Sequence, residues 1–279
     1  MKKKIGLIGL GNIGSFYTDK ILEAGYPLTV FDTDNKKLQA MADKGAVSVT
    51  SPAQVTENAD IIILSLPNSE VVEAVMEDAN GVLSAIKAGQ LVIDTSTCRP
   101  NTAIRCQKLC AKKNAGFIDA PLSRRELGHT LMVGGDEKDY KNAEEILKCI
   151  SARCKLVGPI GYGQRLKAIN QAVMANRLAV DCEAFELCKM CGIDPKLLND
   201  HLEFGLPEVL FTEDYPGGGN LVLHYKDMGY LNEIAHDVHA NIPISALVHE
   251  MFKASKLYGD PSWIQAGIQT YFKRLNSGE

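Results

Sequence analysis

No stretch of this 279-residue chain approaches the ~18 consecutive apolar residues that a membrane-spanning helix requires. The opening MKKKIGLIGLG has a charged start and an apolar run, but the run is short and broken by glycine, which argues against an export signal. A cytoplasmic location is therefore expected. An excess of positive charge is missing too: 30 basic residues face 34 acidic ones, for a formal charge of −4. That balance gives no electrostatic case for nucleic acid or an anionic membrane surface as the partner. Cysteine is present eight times, yet the pattern that would give it a role is lacking. CKMC (Cys188, Cys191) stands without a second CxxC or a nearby histidine, so packed, reduced thiols are expected rather than a metal or redox site. What remains is 46% hydrophobic and 23% charged, the makeup of a globular protein with a substantial core.

Short β-branched runs alternate with amphipathic stretches through the first half. KIGLIGLG, LTVFD, ADIIILSLP, QLVIDTST and GFIDAPL read as buried strands, with MVGG and CKLVGPIG as later strands of the same sheet. SFYTDKILEAG, DNKKLQAMADKG, SEVVEAVMEDA and NTAIRCQKLCAKKN read as the helices between them. Repeated βα units imply an α/β, Rossmann-type, doubly wound parallel sheet over residues 1–162. The rhythm then stops. Residues 163–279 read as an all-α domain, entered by a long interdomain helix over about 163–191 that Gly192 ends. A loop, YPGGG at 215–219, interrupts its later helices.

Gly9, Gly11 and Gly14 form G-x-G-x-x-G between a strand and a helix, with Asn12 and Ile13 opening the helix. The first glycine permits a tight turn, the second lets backbone approach a pyrophosphate, and the third allows close packing. Helix N-terminal amides then face the phosphate charge. Asp32 ends the next strand, where an acid bonds to the adenosine ribose hydroxyls. A 2′-phosphate there would meet a carboxylate, so NAD is expected over NADP, although Lys36 and Lys37 lie nearby.

Six short motifs stand in order along the chain: GLIGLGNIG, SLPN at 65–68, DTST at 94–97, DAPLS at 119–123, GYGQRLKAIN at 161–170 and KDMG at 226–229. Together they resemble the β-hydroxyacid dehydrogenases, a family that includes 3-hydroxyisobutyrate dehydrogenases, tartronate semialdehyde reductases and sulfolactaldehyde reductases. The resemblance implies a Rossmann domain followed by a helical domain that dimerises, in a homodimer or homotetramer. It also implies that Leu66 and Pro67 line the nicotinamide side of the cofactor, that Ser96 bonds to it and that Lys226 closes over it. Ser123 would contact a substrate carboxylate, and Lys167 would be the catalytic group.

Moving hydride between a carbinol carbon and nicotinamide requires a proton to enter or leave the oxygen. Lys167 has Asn170 and Gln171 at i+3 and i+4, so one helical face presents all three to one small molecule. A lysine near pKa ~10.4 is a poor base at neutral pH, so burial or neighbouring positive charge has to depress it. Two departures from the family stand out. Gln171 replaces a usual asparagine. More conspicuously, Ser123-Arg124-Arg125 replaces a usual Ser-Gly-Gly in a shortened segment. Guanidinium forks suit bidentate binding of an oxyanion, so Arg124 and Arg125 are expected to grip a small anionic substrate: a carboxylate, with a sulfonate, phosphonate or second carboxylate as options. The opposing reading turns both side chains to solvent or an acidic neighbour. His129 reads as structural, Asp227 as a support for its helix or for Lys226, and Tyr225 and Tyr230 as packing.

The expected activity is hydride transfer between NAD(H) and a small 3-hydroxy acid or its semialdehyde. An imine reductase or a decarboxylating dehydrogenase of the same fold is the alternative. Lys167 speaks against the first and the short chain against the second. A non-catalytic dinucleotide-binding assembly protein is a further alternative, opposed by retention of both the lysine and the glycine fingerprint.

Overall fold

The structure, a computed structural model, describes residues 2–125, 128–217 and 220–277, with the side chains of Arg124 and Arg125 outside that description. The chain divides into two compact units, Met1–Lys167 and Ala168–Glu279.

The first unit holds strands β1 (Ile5–Ile8), β2 (Leu28–Phe31), β3 (Val47–Ser48), β4 (Ile61–Leu64), β5 (Leu91–Asp94), β6 (Gly116–Asp119), β7 (Leu122–Arg125), β8 (Gly128–Gly134) and β9 (Arg153–Gly158). Its helices are α1 (Asn12–Glu23), α2 (Asn35–Ala42), α3 (Pro52–Glu57), α4 (Ser69–Glu77), α5 (Val82–Ala85), α6 (Pro100–Ala111) and α7 (Glu137–Ile150). The strands form one sheet in the order β3-β2-β1-β4-β5-β6-β8-β7, with β9 paired to β8. From β3 to β6 every pairing is parallel, and the order reverses at β1/β4. Side chains alternate between faces with the period of the pleat. Ile5, Leu7, Ile61, Ile63, Leu91 and Ile93 join Tyr17 and Ile21 of α1 and Ile146 and Ile150 of α7 in one core. Ile8, Ile62, Leu64, Val92 and Phe117 join Val72, Met76, Ala103 and Cys106 in the other. Helices thus cover both faces of a doubly wound sheet.

One edge departs from the expected parallel pattern. GFIDAPL is not a single strand: β6 ends at Asp119 and β7 starts at Leu122. Pro121 lies between them, without an N–H to continue the ladder. β7 then pairs antiparallel with β8, as a connection of two residues demands, since parallel neighbours need a long crossover. β8 also pairs antiparallel with β6, so the sheet is parallel in its body and mixed at this edge.

Helix α8 (Tyr162–Met190) is continuous through the boundary between the units. The division between the units falls inside this helix, after Lys167. Asp119 is fully buried at the end of β6. Its Oδ1 accepts the Gly161 N–H at 2.7 Å and its Oδ2 the Gln164 N–H at 2.8 Å. A carboxylate thereby occupies the N-terminus of α8 and ties the helix's first turns to the sheet.

In the second unit, Ala168, Ala172, Ala175, Ala179 and Cys182 repeat at helical spacing along α8, and Phe185 follows. These small side chains share a core with Leu221, Met228 and Leu231 of α11 (Asn220–Asp237) and with Val248 and Phe252 of α12 (Pro243–Tyr258). Short helices α9 (Lys196–Asp200) and α10 (Val209–Thr212) precede these two, and α13 (Gln269–Ser277) follows them.

Burial pushes the Asp119 carboxyl up to about 7, against the lowering effect of the Gly161 and Gln164 amides. An unfolded aspartate ionises near ~3.9. Below that pH both states hold the proton, and this group's contribution to stability is fully present. Between about 4 and about 7 the folded state alone holds it, so stability falls by up to about 1.4 kcal/mol per pH unit. Above that window the loss is complete. Urea unfolding of the wild type across this range is therefore expected to show a negative slope with pH that Asp119→Asn lacks, on a lower overall stability. Equal slopes would contradict the raised folded-state value.

Candidate active site

The glycine turn lies at the carboxyl end of β1, beside the β1/β4 reversal where ligands bind in open α/β sheets. Its three glycines do three different things. Gly9 has φ +95°, and a Cβ there would collide with the Ser65 carbonyl oxygen. A Cβ on Gly14 would strike the Gly9 carbonyl oxygen. Gly11 faces open space, with no atom within 4 Å of where a Cβ would stand. α1 begins directly after it with no side-chain cap, leaving the first-turn amides at Asn12 and Ile13 available to an anion. Asp32 follows β2. Its Oδ2 accepts the Leu10 N–H at 2.6 Å and its Oδ1 the Asp34 N–H at 2.9 Å, so one carboxylate shapes both loops. Each oxygen keeps a lone pair for a ribose hydroxyl. These residues fit a dinucleotide.

Next along the sheet stand the β4 and β5 ends. The Leu66 N–H donates to Ser96 Oγ at 2.9 Å, which joins the Leu66-Pro67 turn to the loop after β5. The Ser96 N–H donates to Asp94 Oδ1 at 2.9 Å. Gln164 of α8, 1% exposed, reaches the same loop: its Nε2 donates to the Ser96 carbonyl at 2.9 Å, and its Oε1 accepts the Cys98 N–H at 2.9 Å. Lys167 is buried one helical turn later. Ser123 is buried in β7 opposite Thr130.

In the second unit, Gln171 Nε2 donates to Asp227 Oδ2 at 2.7 Å, and Asn170 Nδ2 faces Gln171 Oε1 at 3.4 Å. The Lys226 ammonium stands 3.4 Å from Asp227 Oδ1 and 5.2 Å from the centre of the Tyr230 ring. Asp227 thus holds Gln171 on one oxygen and Lys226 on the other. Tyr230 is a cation–π partner as well as packing, and Tyr225 stacks on His249.

The strand ends bring Gly9, Gly11, Gly14, Asp32, Leu66, Pro67 and Ser96 to one end of the first unit, and α8 brings Lys167, Asn170 and Gln171 onto one helical face. Arg124 and Arg125 pair through their backbones with His129 and Gly128, but their side chains lie outside the described residues. His129 packs edge-on against Phe16 with ring centres 4.6 Å apart. All eight cysteines are free, and burial raises the Cys110 thiol to about 12. Among the described residues no group of three or more His, Cys, Asp or Glu is placed to hold a metal ion, and no helix is long and apolar enough to cross a membrane. Sequence reading gave no role to Asp119 or Gln164, although both stand inside the motifs DAPLS and GYGQRLKAIN. Their partners are 42 to 68 residues away, beyond what local spacing reveals.

Residues 4–158 match the family model described as the NAD binding domain of 6-phosphogluconate dehydrogenase. Residues 161–265 match the one described as NAD-binding of NADP-dependent 3-hydroxyisobutyrate dehydrogenase. The chain is 33% identical over 273 residues to the mitochondrial 3-hydroxyisobutyrate dehydrogenase of Homo sapiens, covering 90% of this chain and 81% of that one. It is 29% identical to the 2-(hydroxymethyl)glutarate dehydrogenase of Eubacterium barkeri over 271 residues, 92% of this chain and 90% of that one. Among solved structures, the 3-hydroxyisobutyrate dehydrogenase of Mycobacterium tuberculosis superimposes with a TM-score of 0.86 at 24% identity, covering 99% of both chains. The glycine turn, the sheet order and these matches agree: the chain belongs to the β-hydroxyacid dehydrogenase family of NAD-dependent oxidoreductases.

Proposed function

We propose that the protein moves hydride between NAD(H) and a small 3-hydroxy acid or its semialdehyde, with Lys167 as the general acid and base. The observation that carries this reading is Lys167 itself: a buried lysine on a helix turn anchored by Asp119 and Gln164, in the same unit as the glycine turn. Gly9, Gly11, Asn12, Ile13, Gly14 and Asp32 would hold the dinucleotide, with Leu66, Pro67, Ser96 and Lys226 toward its nicotinamide end. When bound, the dinucleotide supplies or accepts the hydride. Lys167 as an ammonium donates a proton to the carbonyl oxygen in reduction, and as an amine takes one back in oxidation. Ser123, Asn170 and Gln171 orient the substrate. Arg124 and Arg125 bind its anionic group, a carboxylate or a sulfonate, phosphonate or second carboxylate beside it. Retention of Lys167 favours this chemistry over imine reduction.

Residues 1–162 would then serve the dinucleotide and 163–279 the substrate and self-association. Ile169, Val173, Val180, Leu187 and Met190 form an exposed apolar stripe along α8, each about half exposed or more. A stripe of this extent suits a homodimer or homotetramer. Free thiols throughout fit a reducing compartment such as the cytoplasm.

NADH oxidation with a panel of small anionic semialdehydes tests the activity. Lys167→Met is expected to lower kcat by about 10²–10⁴-fold with NADH binding retained. Arg124→Ala and Arg125→Ala are expected to raise KM for the true substrate, by about 10-fold or more for whichever holds the anion. Dinucleotide binding without turnover on any substrate would instead support an assembly role.

The glycine turn gives a second, separable test. Gly11→Ala should melt like the wild type but bind NADH about tenfold more weakly, the effect of losing one good phosphate contact. Gly14→Ala should lose about 1–3 kcal/mol of stability through overpacking. Differential scanning fluorimetry with and without NADH separates the two, and a destabilised Gly11→Ala would contradict the open space above that residue.

Light scattering tests the assembly. Val180→Glu is expected to convert an oligomer to a monomer, and an unchanged mass would remove α8 as the contact.

A further inference from the structure

We infer that Gln164 is a positioning residue that sets the register between the loops after β4 and β5 and the helix turn carrying Lys167. This inference rests on the reading of Lys167 as the proton-transfer group. Four hydrogen bonds within the first unit define it. The Leu66 N–H donates to Ser96 Oγ at 2.9 Å, and Gln164 Nε2 donates to the Ser96 carbonyl at 2.9 Å. Gln164 Oε1 accepts the Cys98 N–H at 2.9 Å, and the Gln164 N–H donates to Asp119 Oδ2 at 2.8 Å. One side-chain amide therefore serves as donor and acceptor to a single loop, while its own backbone is fixed to β6.

The chemistry of the side chain makes this role specific. A donor and an acceptor must sit side by side at the end of two methylenes, which at neutral pH only glutamine among the natural residues provides without a proton from solvent. Glutamate keeps the acceptor and loses the donor when ionised; methionine keeps the length and loses both strong bonds. Gln164 is 1% exposed, so water does not take over the bonds it makes. Lys167 follows at i+3, on the same face of α8. A shift of Gln164 against Ser96 moves the lysine against the Leu66-Pro67 turn by a similar amount. Proton and hydride transfer are sensitive to such shifts: misplacement by about 1 Å costs about 10²-fold in rate.

The test compares Gln164→Met, Gln164→Glu and Lys167→Met in the full chain. The first readout needs no turnover. In the protein without cofactor, Gln164→Met should speed amide hydrogen exchange at Leu66 and Cys98 by about tenfold, leaving the β1 and β4 interiors unchanged. NADH affinity and KM for the semialdehyde should stay within a few fold of wild type. kcat should fall by about 10–100-fold, with a larger isotope effect from 4-deuterated NADH as hydride transfer comes to limit the rate. Gln164→Glu adds a signature that general loosening does not produce. Protonation restores the donor to the Ser96 carbonyl, so its kcat relative to wild type should recover as pH falls, whereas that of Gln164→Met should not.

Wild-type kcat in Gln164→Met, with Lys167→Met inactive, overturns this inference and leaves the lysine reading standing. Wild-type turnover in Lys167→Met overturns both. If Gln164→Met does not fold, the pH recovery of Gln164→Glu decides: its absence overturns the inference.

Discussion

One buried carboxylate joins the sheet of this protein to the helix that carries its proposed proton donor. Asp119 ends β6 and accepts amides from Gly161 and Gln164, so α8 starts from the sheet rather than from a free loop. The surroundings are cleared for it. A Cβ on Gly134 or on Gly163 would run into an Asp119 oxygen, and Gly161 has φ +85°, a conformation that side chains other than glycine's resist. Full burial disfavours the ionised form, the two amides and the helix N-terminus favour it, and burial wins.

A comparable logic separates the three glycines after β1. At Gly9 and Gly14 the protein's own backbone fills the space a side chain would need, and internal packing accounts for both. Gly11 has a backbone conformation open to any residue, φ −66° and ψ −168°, and nothing beside it. The folded chain alone gives no reason for its missing side chain. A ligand that approaches the backbone does, and the uncapped start of α1 shows the chemistry that ligand must bring: negative charge at the helix's positive end.

The features legible in the sequence are those whose cause is local. The apolar runs of β1, β4 and β5 announce strands buried on both faces, and the glycine spacing announces the turn. Six ordered motifs carry the family. The edge of the sheet was not legible, because GFIDAPL continues an apolar pattern straight through Pro121, and only the missing N–H and the short link to β8 divide it. Gln164 and Asp119 were visible as letters within motifs, yet their roles depend on partners far off in the chain. Gln171 was legible as a polar residue on the face of Lys167, but its partner Asp227, 56 residues away, was not. Arg124 and Arg125 break the family pattern in sequence.

The polar groups near Lys167 and those near Gln171 are fixed by different means, and the difference bears on how such a protein changes substrate. Around Lys167 the bonds of Asp119, Ser96 and Gln164 run to backbone amides and carbonyls. Backbone partners have no rotamers to exchange, so the geometry is set once the strands and helix form. Around Gln171 the contacts run between side chains, a hydrogen bond from Gln171 to Asp227 and an ion pair between Asp227 and Lys226, where each partner has several torsions and a substitution can be absorbed by its neighbour. On the proposed function, proton transfer depends on the first kind of network and substrate recognition on the second. Exchange of a usual asparagine for Gln171 falls in the adaptable network, and the Ser123-Arg124-Arg125 departure falls in a hairpin at the edge of the sheet. Both lie off the backbone-anchored path from β6 through Gln164 to Lys167, which allows specificity to shift while the position of the lysine is kept.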